Sequence, residues 1–312
     1  MVERLFRLIS VVCLMLALAS PASAGSREVL ATLHFQNGTI TLGDNLAVLA
    51  QTDNFHYLDN AGTETFLTNV WANPPGAGKD ALGTIVPKDT DPLGADGWAV
   101  IISYDDTGYV SDEDAGKIDY DDLMREMQKA IEEASKERVA KGLPSLELVG
   151  WARKPYYDAG AKKMVWAKRL RFGNSNTDTL NYNIRILGRR GVLNLNVVAP
   201  MAALQMVDQR APSILAMVHF NQGNTYAEFN PRIDKAAAYG LAGLIAGGVL
   251  VKAGFLKGLL ALLLASWKIV GVTVLAAVAA MRSRIKRLFG GAPKPTVVAA
   301  SLPPTEGGGS SA

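Results

Sequence analysis

Three consecutive runs of alternating residues in the second half of the chain constrain its fold more than any other feature. They are MVWAKRLRF (Met164 to Phe172), TLNYNIRIL (Thr179 to Leu187) and VLNLNVV (Val192 to Val198). Apolar side chains occupy most alternate positions, and the segments that join the runs are rich in Gly, Asn, Asp and basic residues. A period of two over successive runs with turn-like joins predicts antiparallel strands, with one buried face and one solvated face.

Shorter signals indicate further strands and helices. TIVP and WAVIISY, within residues 84–104, have the apolar composition of buried strands. LDNAGTETFLTNVW predicts a short helix capped by Asp59 or Asn60, and PMAALQMVDQR predicts a helix with Pro200 in its first turn. We interpret the similar segments HFQNG (from His34) and HFNQG (from His219) as the turns of tight hairpins. The predicted fold class is α+β, an antiparallel meander sheet with two or three packed helices, followed by a C-terminal transmembrane helical anchor.

Residues 1–24 have the pattern of a secretory signal peptide. Two arginines precede an apolar run from Leu8 to Ala19, and Ala22-Ser23-Ala24 forms an A-x-A cleavage site. Cleavage there gives a chain that begins at Gly25 and lacks Cys13, the single cysteine of the sequence. The exported domain is therefore expected to have neither a disulfide nor cysteine chemistry.

Two apolar runs predict a hydrophobic membrane anchor in residues 236–281, made of one or two helices. Residues 258–281 are interrupted only by Lys268, and as a helix they would span ~36 Å, enough for a hydrocarbon core of ~30 Å. The first run, residues 236–251, would reach only ~24 Å. We expect it to lie in the membrane interface, with a hairpin of two spans as the alternative.

Gly243 and Gly247 in the first run have the GxxxG spacing that allows two helices to approach closely. They are the candidate contacts of a homo-oligomer. The alternative is that both glycines simply loosen a short interfacial helix.

The basic segment RSRIKR, residues 282–287, favours the cytoplasmic side of a membrane. With an exported amino end, this requires an odd number of crossings, so one crossing would leave the domain of residues 25–235 outside. The prediction is a protein of the cytoplasmic (inner) membrane whose main domain faces the periplasm or the cell exterior. Beyond the basic stop, residues 282–312 end in a Pro-, Gly- and Ser-rich tail that predicts disorder.

Charge separates the domain from the anchor. The net charge of +3 divides into +1 for residues 1–24, −5 for residues 25–235 and +7 for residues 236–312. A mildly acidic domain is a poor binder of nucleic acid, so no nucleic-acid partner is predicted. The predicted partners are membrane lipid, through residues 236–281, and an envelope protein.

The acidic stretch GYVSDEDAGKIDYDDLM, from Gly108 to Met124, invites three interpretations. It fails the calcium-loop pattern, because starting at Asp112 the fifth position is Gly, the sixth is Lys and the twelfth is Leu; only a looser calcium site stays open. It matches a helix start, with Asp119 as the cap and two more aspartates in the first turn. Asp112, Glu113 and Asp114 remain on the preceding loop, as solvated residues or as catalytic acids.

Other catalytic and metal-binding signatures are absent from the sequence. It contains no HExxH, no GxSxG and no phosphate loop, and the histidines at 34, 56 and 219 are not spaced as a ligand pair. Lys162-Lys163 and Arg189-Arg190 fall at predicted hairpin tips, where they are either exposed turn charges or a grip for an anionic partner. No catalytic, cofactor-binding or metal-binding residue is predicted, and no cofactor.

Three stretches carry a resemblance to a known family. GYVSDEDAGKIDYDDLM, WARKPYYDAGAKKMVWAKRL and ILGRRGVLNLNVVAP resemble the bacterial membrane-anchored family catalogued as domain of unknown function 2167. The layout of signal peptide, domain and hydrophobic anchor is similar as well, so the resemblance covers nearly the whole chain. It implies no reaction, cofactor or catalytic residue. The order of elements at the end of the domain also resembles the Mog1/PsbP-like sandwich at the level of fold.

The sequence therefore predicts a membrane-anchored extracytoplasmic protein, most simply a non-catalytic binding or scaffolding module of the bacterial envelope. The alternative is an envelope hydrolase that uses the carboxylates of Asp112, Glu113 and Asp114, with Tyr109 and Trp98 nearby. That alternative requires two carboxylates about 5–10 Å apart in a cleft.

Overall fold

The computed structural model describes residues 24–50, 54–94, 96–140 and 142–247. Over these ranges the chain is α+β, with antiparallel sheets and a few helices, which confirms the predicted class at that level. Residues 1–23, the predicted span 258–281 and the basic tail lie outside the described residues. Among the residues that are described, none of the helices combines the length and the apolar composition that a membrane crossing requires.

Seven antiparallel strands form the large sheet, in the order β3-β4-β5-β9-β8-β7-β6. Their bounds are β3 Phe55–Leu58, β4 Ala81–Pro87, β5 Ala99–Asp105, β6 Leu146–Asp158, β7 Lys163–Phe172, β8 Thr179–Leu187 and β9 Val192–Pro200. A small sheet contains β1 Ile40–Leu42, β2 Ala47–Leu49 and β10 Val218–Phe220, in the order β1-β2-β10. The three alternating runs of the sequence are β7, β8 and β9, as predicted.

The helices pack on both faces of the large sheet. They are α1 Ala24–Thr32, α2 Asn60–Thr65, α3 Tyr120–Ala140, α4 Leu204–Met217 and α5 Leu241–Ala246. A π-helical turn, Phe66–Val70, continues α2, and short 3-10 turns occupy Met201–Ala203 and Tyr226–Glu228. Helix α4 and the small sheet cover one face, and α3 with α5 and α2 with the π-helical turn contribute to two separate apolar clusters on the other.

The expectation of one solvated face for β7, β8 and β9 is wrong. In β7 the side chains of Met164 and Trp166 lie in the cluster that contains α3, whereas in β8 those of Tyr182 and Ile184 lie in the cluster that contains α4. Trp166 is paired with Asn183 across the two strands, so the apolar set of one strand shares a face with the polar set of the next. Both faces are therefore covered, and Asn181, Asn183 and Asn194 are buried instead of solvated.

Helix α3 begins and ends as the sequence indicates. The Asp119 carboxylate accepts hydrogen bonds from the amides of Asp121 and Asp122, both at 2.9 Å, which satisfies donors that the first turn leaves free. The helix ends at Ala140, shortly before Gly142. Gly142 has a φ of 75°, a conformation that glycine adopts at low cost. Buried Leu123 and Met127 place its apolar stripe on the sheet.

The carboxyl end of the described chain belongs to the domain core, which corrects the expectation that residues 236–251 form one interfacial helix. The amide of Tyr109 donates to the Lys235 carbonyl and the amide of Ala237 donates to the Tyr109 carbonyl, both at 2.8 Å. Helix α5 comes next and buries Leu241, Leu244 and Ile245 in the cluster that contains α3. Gly247, with a φ of 68°, ends this helix.

The two glycines of the predicted helix pairing, Gly243 and Gly247, lie within and at the end of the short helix α5. Gly247 lies in the left-handed region at the helix terminus, and a Cβ added at Gly243 would meet the Tyr239 side chain at 2.6 Å. The two glycines therefore do not form the continuous, open helical face that close helix pairing requires.

Neither of the two predicted Asn/Gly hairpins forms. Around Asn37-Gly38 the flanking residues pair with different partners: Gln36 pairs with Tyr57, and β1 pairs with β2. After β10 the chain enters the turn at Tyr226 instead of a returning strand. The helix capped by Asp59 does form, since its carboxylate accepts from the Gly62 amide at 2.8 Å.

The turn between β8 and β9 depends on Gly191. A Cβ built there would lie 2.1 Å from the Asp105 carbonyl oxygen and 2.7 Å from the Tyr104 hydroxyl. Because the Asp105 carbonyl belongs to the backbone of β5 and cannot move without disturbing that strand, we expect Gly191→Ala to lower the free energy of unfolding by about 2 kcal/mol or more. Thermal unfolding of the full chain, followed by circular dichroism, measures this change.

Gly116→Ala is the matched control, because nothing lies within 4 Å of a Cβ added at that position. It should change stability by no more than about 0.5 kcal/mol. Equal melting temperatures for the two variants would contradict the expected clash at Gly191.

Candidate functional site

Asp112 is the centre of a partly buried network that joins three segments of the chain. Its carboxylate accepts hydrogen bonds from the Tyr157 hydroxyl at 2.6 Å, from Lys162 Nζ at 2.7 Å and from the Tyr226 hydroxyl at 3.0 Å. Lys162 Nζ also lies 4.9 Å from the centroid of the Tyr226 ring, a cation–π distance. The acidic loop is thereby tied to the β6–β7 hairpin and to the chain after β10.

Electrostatics keep Asp112 ionised. Burial alone would raise the pKa of its carboxyl group, but the hydrogen bonds from Lys162, Tyr157 and Tyr226 outweigh burial and hold the pKa below its usual range. Burial and the bond to Asp112 raise the pKa of the Tyr157 hydroxyl, and burial with bonds to Tyr109 and Asp112 raises that of Tyr226. A general acid needs the opposite shift, so this carboxylate is suited to an ionic tie.

The other acidic residues of the loop point to different partners. The Asp114 carboxylate accepts from the amides of Leu241 at 3.0 Å and Ala242 at 3.1 Å, at the start of α5. Glu113 is exposed. Asp112 and Asp114 are thus each committed to contacts inside the fold, and the loop does not present them as a pair of reactive acids.

The aromatic residues named with this loop separate in the structure. Tyr109 stacks between Tyr226, with ring centroids 4.4 Å apart, and Phe229, at 3.9 Å. Trp98 is fully buried in the cluster on the opposite face of the sheet, where it packs edge-on against Phe55. The structure therefore brings Tyr109, but not Trp98, to the Asp112 network.

The basic residues at the hairpin tips are engaged by the protein itself. Lys162 pairs with Asp112, and Lys163 donates to the Leu215 carbonyl near the end of α4. Arg189 and Arg190 both contact Asp234, at 2.7 and 3.5 Å, and only 3 % of the Asp234 side chain is exposed. Internal contacts engage all four side chains, and of these Arg190 stays 53 % exposed.

A second polar cluster, missed by the sequence interpretation, lies on the face of the large sheet that α3 covers. We call it the polar patch; it consists of Trp166 and Lys168 on β7, Asn181, Asn183 and Arg185 on β8, and Asn194 on β9. Register places Trp166 opposite Asn183, Lys168 opposite Asn181 and Asn194 opposite Arg185. The signal available in the sequence was the density of Asn in strands that otherwise contain large apolar side chains.

Hydrogen bonds run along β8 through the polar patch. Arg185, only 6 % exposed, donates to the Asn183 side-chain oxygen and to the Ile184 carbonyl, both at 3.0 Å. Asn183 in turn donates to the side chain and the carbonyl of Asn181 at 2.9 Å. The guanidinium carbon lies 5.0 Å from the centroid of the Trp166 ring. These contacts fix the position of Arg185 but leave its charge without a counter-ion.

Several groups of the polar patch have no partner. Among the residues that the structure describes, neither Arg185 nor Lys168 forms a salt bridge. Trp166 Nε1 and Asn194 Oδ1 are buried and have no hydrogen-bond partner in the described part of the chain. Burial lowers the pKa of Arg185 to about 10, and burial with the nearby Arg185 charge lowers the pKa of Lys168 to about 8. Two cations therefore share a poorly solvated region.

A cavity of about 280 Å³ lies elsewhere, beside β3 and α4, and is lined by Asn54, Phe55, Lys88, Asp89, Arg210 and Ser213. Asp89 and Arg210 form a two-pronged ion pair, with distances of 2.6 and 3.1 Å. This pair neutralises its own charge.

The histidines lie apart from both clusters. His34 is exposed, His56 contacts Asn37, and His219 contacts the Ala216 carbonyl. Within residues 24–247, apart from the undescribed positions, no group of three or more His, Asp or Glu side chains is placed to hold a metal ion.

Comparison with known proteins decides the family. Residues 34–279 match the family model described as "Protein of unknown function (DUF2167)". The chain belongs to this family. The predicted resemblance is thereby confirmed, and since the description names no reaction, ligand or partner, the function has to be argued from the geometry of the site.

Two solved structures are similar to the chain at low identity. Cyanobacterial PsbP (CyanoP) from Synechocystis sp. PCC 6803 is 11 % identical with a TM-score of 0.32, and the match covers 65 % of this chain and 98 % of that one. A mutant of the protein Mog1 is 10 % identical with a TM-score of 0.32, over 59 % of this chain and 95 % of that one. No curated protein matches the sequence.

The Asp112 network predicts a pH-dependent loss of stability. Asp112→Asn removes the charge that pairs with Lys162 and should lower the free energy of unfolding by about 2 kcal/mol at pH 7. The folded pKa of Asp112 lies below its ordinary value of 3.8. The stabilisation is therefore complete above that value and lost as pH falls below it. The difference between wild type and variant should shrink below about pH 4 in denaturant titrations.

Glu113→Gln removes a neighbouring exposed carboxylate and serves as the control, with an expected change within about 0.5 kcal/mol. A difference between wild type and Asp112→Asn that stays constant from pH 7 to pH 3 would rule out the ionic tie.

Substitution of Lys168 is expected to stabilise the protein, the opposite of the effect of Asp112→Asn. Because burial depresses its pKa from 10.5 to about 8, the charged form is unfavourable in the folded state, and Lys168→Met should raise the free energy of unfolding by about 1 kcal/mol at pH 7. Between pH 8 and 10.5 the wild-type lysine loses its proton first in the folded protein, so the advantage of the variant should vanish over that interval.

Denaturant titrations at pH 7, 9 and 10 measure this trend. Lys154→Met is the control, because Lys154 is 63 % exposed and forms a surface ion pair with Asp121; it should change stability by less than about 1 kcal/mol. A Lys168→Met variant that is less stable than wild type at pH 7 would contradict the prediction.

Proposed function

We propose that this chain is a non-catalytic binding module of the bacterial envelope, held at the cytoplasmic membrane with its domain on the outer side. The polar patch is the observation that carries the binding role. A buried arginine without a counter-ion, together with unpaired donor and acceptor atoms, costs folding stability. Such groups are expected where a protein contacts a ligand rather than where it only folds.

The geometry gives the hydrolase alternative little support. Its candidate acids are engaged by Lys162 and two tyrosines at Asp112 and by two backbone amides at Asp114. The pKa of Asp112 is shifted downward, away from the range of a catalytic proton donor. We therefore favour binding over hydrolysis.

The proposed location rests on the two ends of the sequence. The signal pattern in residues 1–24 directs export of the domain, and RSRIKR after residue 281 resists export. The packing of residues 236–247 against the core supports a single crossing, because only residues 248–251 of the first apolar run remain before Lys252. The lipid contact is accordingly assigned to residues 258–281.

Limited proteolysis of spheroplasts tests the location. Protease added outside should digest the domain of residues 25–247 and spare a tag at Ala312, because one crossing places the tail in the cytoplasm.

The same spheroplasts, treated beforehand with a membrane-impermeant amine crosslinker, should yield the chain joined to another envelope component through exposed lysines such as Lys154.

Detergent permeabilisation is the control, since it should expose the tag. Digestion of the tag in intact spheroplasts would establish the two-span hairpin instead, and protection of both the domain and the tag would show that the chain is not exported.

A further inference from the structure

We propose that the polar patch binds an anionic group, a phosphate or a carboxylate, through Arg185 and Lys168. This inference deepens the proposed binding function and rests on it, because it names the chemical class of the ligand. Nothing in the family description assigns such a site.

The charge of the polar patch is unbalanced. Arg185 is more than nine-tenths buried, and no described carboxylate forms a salt bridge with it or with Lys168. Burial of an unpaired cation costs folding free energy. Asp105 attracts Arg185 electrostatically, and this attraction is smaller than the effect of burial. An anion between Arg185 and Lys168 would supply the missing charge and relieve their mutual repulsion.

The guanidinium of Arg185 has donors to spare. Of the five N–H donors that an arginine carries, Arg185 uses two, toward Ile184 and Asn183. The donors that remain can form the two parallel hydrogen bonds that carboxylate and phosphate oxygens accept. The cation–π contact with Trp166 and the two hydrogen bonds already restrict the Arg185 side chain, so little of its freedom is lost on binding.

Two neutral groups of the polar patch point to the same kind of ligand. Trp166 Nε1 and Asn194 Oδ1 belong to side chains that are 1 % and 4 % exposed, and neither has a described partner. Trp166 can only donate a hydrogen bond, which suits a further oxygen of the anion. The Asn194 oxygen accepts one, which suits a hydroxyl on the ligand or on a singly protonated phosphate. An oxyanion thus has the chemistry to pair with the two cations and to accept a hydrogen bond from Trp166.

The polar patch also weakens the fold that carries it. On the same face, apolar side chains flank the polar patch, with Leu170 on one side and Val198 on the other. Apolar residues in place of Lys168 and Arg185 would remove both unpaired charges from that surface. In a region of low polarity an ion pair with a ligand is stronger than at an open surface, so the burial that weakens the free protein strengthens the complex.

Titration of the full chain, purified in mild detergent, tests the site. Tryptophan fluorescence is followed while inorganic phosphate or acetate is added at constant ionic strength, with chloride as the reference. We expect a saturable change with at least one oxyanion and none with chloride. Arg185→Gln and Lys168→Met should each raise the dissociation constant about tenfold or more, as expected for the loss of a hydrogen bond to a charged group.

Variant stability separates binding from folding. Lys168→Met is expected to fold more stably than wild type, so loss of binding in this variant cannot come from unfolding. Arg232→Gln, at an exposed position outside the polar patch, is the matched control and should bind as wild type does. The inference is overturned if no oxyanion gives a saturable change, or if Lys168→Met and Arg232→Gln bind equally well.

A second arm identifies the source of the anion. The same titration with dihexanoyl phosphatidylglycerol, a soluble anionic lipid, is compared with inorganic phosphate. Tighter, Arg185-dependent binding of the lipid assigns the site to a headgroup, and equal or weaker binding assigns it to a free oxyanion. Both results support an anion site, whereas lipid binding that Arg185→Gln leaves unchanged counts against it. These measurements do not depend on topology, so a failure of the proteolysis experiment leaves them interpretable.

Discussion

The contact between Asp112 and Lys162 organises the half of the domain that packs around α3. One carboxylate holds the acidic loop, the β6–β7 hairpin and the residues around Tyr226 together. The loop can then place Asp114 at the start of α5 and Asp119 at the start of α3. Because burial opposes the charge and three donors outweigh it, the arrangement holds only while the donors stay in place. The acidic residues Asp112, Asp114 and Asp119 therefore stabilise the fold itself.

In the polar patch, by contrast, hydrogen-bond partners do not compensate for the burial of a charge. At Asp112 a partly buried charge has its full set of partners, whereas at Arg185 a more deeply buried charge has only neutral ones. Both sites lie on the face of the sheet that carries α3, and both combine a basic side chain with an aromatic ring. The difference lies in the ion pair: Asp112 pairs with Lys162, whereas Arg185 forms no salt bridge with a described residue. We therefore interpret the Asp112 network as structural and the polar patch as the proposed binding site.

Sequence patterns predicted the elements well and the relations between them poorly. The alternation in β7, β8 and β9 identified three strands and their turns, because side-chain direction within a strand follows the backbone. It could not show that Trp166 stands opposite Asn183, since pairing register depends on the whole sheet. Asp119 was found as a helix cap because its partners are two and three residues away. The partners of Asp112 are 45, 50 and 114 residues away, beyond the reach of any local pattern.

The way in which residues 235–247 join the domain has a mechanical consequence. Asp114 fastens α5, and residues 235–237 pair in parallel with Tyr109. A pulling force applied at Gly247 would load those hydrogen bonds first and would reach the large sheet only after they break. Tension at that point would release α5 from the acidic loop while β7, β8 and β9 keep their register.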